Sequence, residues 1–308
     1  VAAVETTTAG PSGRTRRRVH PVRRVPWAFA VPAVAVCFGL FILPALLGAG
    51  YAFTNWDGLT SPKWLGFANF TEFFGNSESA EVLLHTLEIG IAYVVGVNLV
   101  GLGLAVGLEN TLKSRGILRA IFFLPAVISP VVVAFIWKFM LDANGAINEA
   151  LAAIGLGSLE KPWLGEPTLA LASVVVVMIW QFAGYHMVIY SAGLQSVQDE
   201  LREAAAVDGA GPWRRFRDIT LPLLRPAMTI SIALSTITSF MVFDQVIALT
   251  GGGPAGATET LGTYVYKQAF VNGRYGYSAA VALLLVIGVC AVAILQFRVL
   301  RNRDAEAA

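Results

Sequence analysis

Residues able to do chemistry are few in this chain, and their spacing excludes the common catalytic arrangements. The histidines His20, His85 and His186 lie far apart, with no HExxH pair, and no GxSxG elbow is present. Cys37 and Cys290 each fall inside a long apolar run and read as small hydrophobes, with no disulfide or metal role. A phosphate-binding P-loop needs Gly directly before Lys, whereas the five lysines follow Pro62, Leu112, Trp137, Glu160 and Tyr266. No catalytic group, metal site or nucleotide cradle is therefore expected. One segment is chemically dense. DELREAAAVDGAGPWRRFRDITLPLLRP interleaves five acids (Asp199, Glu200, Glu203, Asp208, Asp218) with five arginines, a pattern suited to pairing across an interface.

The local signals in this segment predict two short helices. Asp199 to Val207 has good helix formers with acids in its first turn, and Gly209 supplies a stop. A second helix can begin near Pro212 and continue through Trp213 and Phe216 until Pro222 breaks it. Physical reasoning leaves two roles open. The pair is either a rigid knob, thin along Ala204 to Ala206, that enters a partner's groove, or an amphipathic hairpin lying on headgroups with Trp213 and the arginines as anchors.

The rest of the chain must position this segment, and it reads as membrane protein. Of 308 residues 56% are hydrophobic and 14% charged, with a mean hydropathy of +0.65, against roughly 25% charge in soluble domains. Six runs are long enough to cross about 30 Å of hydrocarbon as helices: Trp27–Leu47, Thr86–Leu108, Ile117–Met140, Leu169–Ala192, Ala227–Leu249 and Tyr277–Phe297. The fold class expected is an all-α integral membrane protein with six transmembrane helices. Its parts are a basic tail (1–26), a transmembrane domain (27–298) containing the loop 199–222, and a C-terminal tail (299–308). The first run exceeds the apolar stretch of a signal peptide and lacks a convincing cleavage site, so it is expected to stay as a helix. Pro125 and Pro130 predict a kink in the third.

Orientation follows from the basic residues. With the N-terminus inside, 17 of the 22 Lys and Arg fall on the inner side; only Lys63, Lys138, Lys161, Lys267 and Arg274 fall outside. Cytoplasmic flanks carry such an excess, so both termini and the loop 199–222 are expected to be cytoplasmic. Beside a membrane helix the basic tail reads as a topology anchor, with no nucleic-acid partner.

Polar residues inside membrane helices are costly and mark candidate solute paths. In the fifth run, at about 100° per residue, Ser231, Ser235, Thr238 and Gln245 fall within about 40° of one line, with Ser239 and Val242 beside it. Thr229, Thr236, Phe240 and Asp244 occupy roughly the opposite side. One face should line a path and the other should pack; geometry leaves open which. Serine and threonine can also bond back to their own helix. Asp244 reads either as a structural partner or as a polar gate, and Glu88 and His186 have the same two readings.

Glu203, Ala204, Ala205, Gly209, Ile219, Leu221 and Pro222 match every fixed position of the EAA motif of ABC importer permeases, with Asp208 beside the glycine. LTGGGP (Leu249 to Pro254), FLPAVISPVVVAFIW ending at Trp137, and YSAGLQSVQDELREAAAVDGA further resemble the carbohydrate-uptake branch, whose type case is the maltose permease. The resemblance runs from about Trp27 to the last helix. It implies a type I importer in the bacterial cell membrane: this chain, a second EAA-type permease, two ATPase subunits that bind ATP and Mg, and an external sugar-binding protein. In that family the motif docks on the ATPase. Register on the shared GGP makes Ser235, Thr238, Ser239 and Val242 similar to sugar-contacting positions, and register on the motif does the same for Tyr185, with Gln181 one turn earlier. Only Ser235 and Tyr185 keep the type case's residue, and the type case has two more helices and a large external domain.

An ion-coupled secondary transporter of a small polar solute is the competing reading. It would require paired charges deep in the bundle and internal repeats, and neither stands out. An intramembrane enzyme would need a nucleophile paired with a base, and none is visible.

Overall fold

The computed structural model describes residues 30–109 and 114–305, with side-chain surroundings as far as 298. The basic tail and Lys113 lie outside the described residues. Among the described residues the chain is all-helical, its one extended pairing being the isolated bridge Thr54–Trp64. Two units divide at Leu46 and Leu47. The first helical run, Ala30–Tyr51, comprises α1 (Ala30–Cys37), a π turn (Phe38–Ile42) and α2 (Leu43–Tyr51).

Besides that run, three helical stretches are long and apolar enough to cross a bilayer unbroken: α4 (Ser77–Gly107), α8 (Pro167–Gln195) and the Tyr275–Arg298 portion of α15 (Tyr275–Ala305). Two bent pairs add further candidates. The helices α5 (Arg115–Val127) and α6 (Pro130–Met140) turn by 98°, and Pro212–Leu223 meets α12 (Arg225–Phe240) at 69°. The number of spans is thus four to six. Shorter helices α3 (Ala68–Gly75), α7 (Ala146–Ala153), α13 (Asp244–Leu249) and α14 (Leu261–Tyr266) connect them.

Two sequence expectations need correction. The third run is broken rather than kinked: Ile128 and Ser129 are extended, with ψ of 141° and 133°. Proline disfavours the α region for the residue before it, and here Ser129 is extended, so Pro130 ends the first helix and starts the second. The carbonyl this frees at Ile128 accepts from Gln181 Nε2 at 3.0 Å. The fifth run also stops short of Leu249. It ends at Phe240, and α13 begins afresh at Asp244, placing Val246 and Leu249 in one apolar cluster with Val133 and Ala134 of α6.

The central packing is α8 against α4 and α5, with α12 against α4, α8 and α15. In lipid, apolar burial gives helices little reason to associate, so close backbone approach matters more. A Cβ at Gly184 of α8 would collide with the Phe122 carbonyl of α5. One at Gly101 of α4 would come within 2.8 Å of His186 Cβ on α8. These absent side chains let α8 seat against both neighbours.

Candidate functional site

The charged segment folds as a helical hairpin. Its first arm is α9 (Asp199–Val207); the second runs through α10 (Pro212–Arg215), a π turn (Phe216–Thr220) and α11 (Leu221–Leu223). Between the arms Gly209 has φ +80°, the left-handed region where a Cβ is costly. The second arm does not stop at Pro222 but continues to Leu223. Proline offers no N–H to the ladder, and the widened turn immediately before it shifts the register, Leu221 N–H bonding Phe216 O.

Of the motif positions, Glu203, Ala204, Asp208 and Gly209 are exposed, while Ala205, Ile219, Leu221 and Pro222 are half-buried. Beside them two large apolar side chains lie bare, Val207 at 88% exposure and Trp213 at 72%. A short ion pair, Arg202 Nη1 to Glu109 Oε1 at 2.6 Å, ties the hairpin to the helix bundle, Glu109 lying just past α4. Asp218 meets Arg214 and Arg217 only at 3.6 and 3.7 Å on open surface, where such pairs contribute little.

Further along the bundle, a polar network joins three helices. Asn98 of α4 donates to Val94 O at 2.7 Å and to Ser235 Oγ of α12 at 2.9 Å. Its Oδ1 accepts from Tyr190 of α8 and from Ser231 of α12, each at 2.6 Å. Ser231 Oγ also lies 2.7 Å from His186 Nδ1. Sequence reasoning missed Asn98; the available signal was an amide inside an otherwise apolar run.

Adjoining this network is a cavity of about 280 Å³, walled by Tyr93, Phe182, Tyr185, His186, Leu234 and Thr238. Of the sequence-derived path residues, Tyr185 and Thr238 line it and are exposed, Tyr185 at 40%. Gln181, Ser235, Ser239 and Val242 are buried. Gln181 holds Ile128 O and accepts from Gln245 Nε2 at 3.3 Å; Ser235 belongs to the Asn98 network, and Ser239 bonds Thr236 O at 2.8 Å. The serine row thus faces α4 and α8, while Thr236 on the opposite side receives Gln296 of α15 at 2.7 Å. Asp244 stands exposed at the start of α13.

At the end of the bundle away from the hairpin, Lys267 bridges Glu259 and Glu78, both at 3.2 Å. Partial burial works against its charge, but the bonds and charges of the two carboxylates outweigh that and hold its pKa above the ordinary lysine value.

The described residues thus form a helical bundle with two bent helix pairs and an exposed charged hairpin. Residues 98–303 match the family model described as "Binding-protein-dependent transport system inner membrane component", and the chain belongs to that family as a permease subunit of an ABC importer. The chain is similar to the probable starch degradation products transport system permease protein AmyD of Thermoanaerobacterium thermosulfurigenes, with 31% identity covering 91% of this chain and 95% of the relative. It is also similar to the multiple sugar-binding transport system permease protein MsmF of Streptococcus mutans, with 34% identity covering 88% and 93%. Among solved structures, a bacterial alginate ABC transporter in complex with alginate pentasaccharide-bound periplasmic protein has the same fold. Its TM-score is 0.77 at 23% identity, covering 90% of this chain and 94% of that one.

Proposed function

We propose that this chain forms, with a second EAA-type permease, the path of a sugar or oligosaccharide through a bacterial cell membrane, crossing it six times with both termini cytoplasmic. The hairpin of 199–223 docks in a separate ATPase subunit, two of which bind ATP and Mg, and an external binding protein delivers the sugar. The observation that carries this reading is the hairpin itself. Glu203, Ala204, Val207 and Trp213 stand bare on a knob fixed by Gly209, while Arg202 fastens it to the end of α4.

Coupling then has a physical route. When ATP closes the ATPase pair, α9 moves as a rigid lever. Arg202 and Glu109 pass the displacement to α4, and the continuous second arm passes it to α12. Because Asn98 joins α4 to α12, the two helices move together, and the cavity wall of Tyr185 and Thr238 moves with them. Gln181, Ser235, Ser239 and Val242 shape that wall from behind, and Asp244 stands as a polar gate residue. Aromatic rings beside hydroxyl and imidazole groups suit a neutral sugar, whose C–H faces stack on rings while its hydroxyls exchange hydrogen bonds. The names of the relatives, which speak of starch degradation products and multiple sugars, support the same substrate class.

The test is to purify the complex with the proteins encoded beside it and to screen sugars, through the binding protein, for stimulation of ATP hydrolysis and uptake. Stimulation by a saccharide is expected. Stimulation by amino acids or ions alone would overturn the sugar assignment, and transport without an ATPase would overturn the coupling.

A further inference from the structure

The hydrogen bonds around Asn98 assign the protons of Tyr190, Ser231 and His186. Asn98 Nδ2 must be a nitrogen, since it lies 2.7 Å from the Val94 carbonyl, which can only accept. Its Oδ1 therefore carries no hydrogen. Tyr190 Oη and Ser231 Oγ each approach that oxygen to 2.6 Å, a separation that requires a proton on the hydroxyl. Each hydroxyl has one proton, and both are now used. Ser231 Oγ can then only accept from His186 Nδ1 at 2.7 Å, so Nδ1 bears the imidazole hydrogen.

The ring is buried and, among the described residues, bonded by no carboxylate, so it stays neutral and its other nitrogen is left as a lone-pair acceptor. Among the described residues no group bonds Nε2, and it is not one of the shut-in atoms that lack a partner. His186 is 2% exposed overall, yet it lines the cavity between Tyr185 and Thr238. Thr238 Oγ1 on the same wall already gives its proton to Leu234 O at 3.0 Å, and the remaining hydroxyls of the wall are the phenols of Tyr93 and Tyr185. A solute with several hydroxyls brings donors to this place. We propose that His186 Nε2 is an acceptor for a substrate hydroxyl, held in the acceptor tautomer by Ser231, Asn98 and Tyr190. This rests on the sugar reading above and adds to it a residue whose proton is set from behind by three helices.

Two measurements test it. In the purified full complex with ¹⁵N-labelled histidine, His186 should give the signature of a protonated Nδ1 and a bare Nε2, identified by its loss in H186N. A protonated Nε2 in the wild type overturns the inference, and this reading needs no sugar. Uptake into proteoliposomes is then measured with maltose, maltotriose, trehalose and lactose, each presented with the binding protein. His186→Asn keeps an amide near Nδ1 to serve Ser231 but does not reach the Nε2 position, whereas His186→Gln does. Uptake lower by about three- to tenfold in H186N, recovered in H186Q with equal ATPase copurification, is the expected result. Equal uptake in all three forms overturns the role of His186 and leaves the sugar reading standing. A wild-type complex that hydrolyses ATP but carries none of these saccharides overturns the sugar reading and this inference with it.

Discussion

Arg202, one residue before the motif glutamate, reaches Glu109 beyond the end of α4 at 2.6 Å, with both side chains partly screened from solvent at 22% and 30% exposure. This contact joins the hairpin to a helix that is distant in sequence. A partly buried, charge-assisted bond of this kind contributes about 1 kcal/mol or more.

Arg202→Ala and Glu109→Gln should each lower uptake while leaving membrane insertion intact, because the lever loses its hold on α4. Sugar-stimulated ATP hydrolysis should fall relative to basal hydrolysis. The charge swap R202E/E109R should recover part of the coupling. Independent, additive losses in the double variant would argue against a shared contact.

Gly209 tests the shape of the knob. Its φ of +80° is closed to proline, so Gly209→Pro should abolish ATP-dependent uptake with normal insertion. Gly209→Ala should be milder, at a cost of about 1–2 kcal/mol. Glu203→Arg reverses an exposed charge and should also abolish uptake. Normal coupling in the proline and charge-reversal variants would remove the hairpin from the mechanism.

Tyr185 and Gln181 separate path from packing. Tyr185→Ala removes an exposed cavity wall and should impair uptake with assembly unchanged. Gln181→Leu instead strips the Ile128 carbonyl of its partner and should destabilise the purified complex by about 1–3 kcal/mol, visible as a lower thermal midpoint. Equal thermal stability in Q181L would show that another group satisfies the break.

At the far end of the bundle, Lys267→Met leaves Glu259, with 9% of its side chain exposed, without its cation. The expected loss is on the order of 1 kcal/mol, kept small because Lys267 is itself 42% exposed. Since the folded state raises the lysine pKa above 10.5, its contribution is complete below that pH and fades only as pH climbs through the higher folded value. The wild-type minus K267M difference in thermal midpoint should therefore not change through lysine titration between about pH 6 and 9.

The hairpin was legible because its signals are local. Acids in a first turn, a glycine stop and Pro212 as a starter set α9 at Asp199–Val207 and open α10 at Pro212. The break at Ile128 and Ser129 was half legible: Pro130 announces it, but its 98° angle depends on Gln181, more than fifty residues away, capping the freed carbonyl. The direction of the serine row in α12 was not legible. Both sides of that helix carry hydroxyls, and the choice is made by Asn98 on one side and Gln296 on the other. The stop at Phe240 likewise depends on α13 finding the apolar face of α6, a contact between residues distant in sequence.

The most direct measurement is disulfide cross-linking from the hairpin in the assembled complex, with Cys37 and Cys290 replaced by serine and a single cysteine at Ala204 or Val207. The expected result is a cross-link to the ATPase subunit, carrying a cysteine in its docking cleft, that blocks ATP-driven uptake and is reversed by reductant. A cross-link that leaves uptake unchanged, or no cross-link at either position in a complex that transports normally, would contradict the docking of this hairpin on the ATPase.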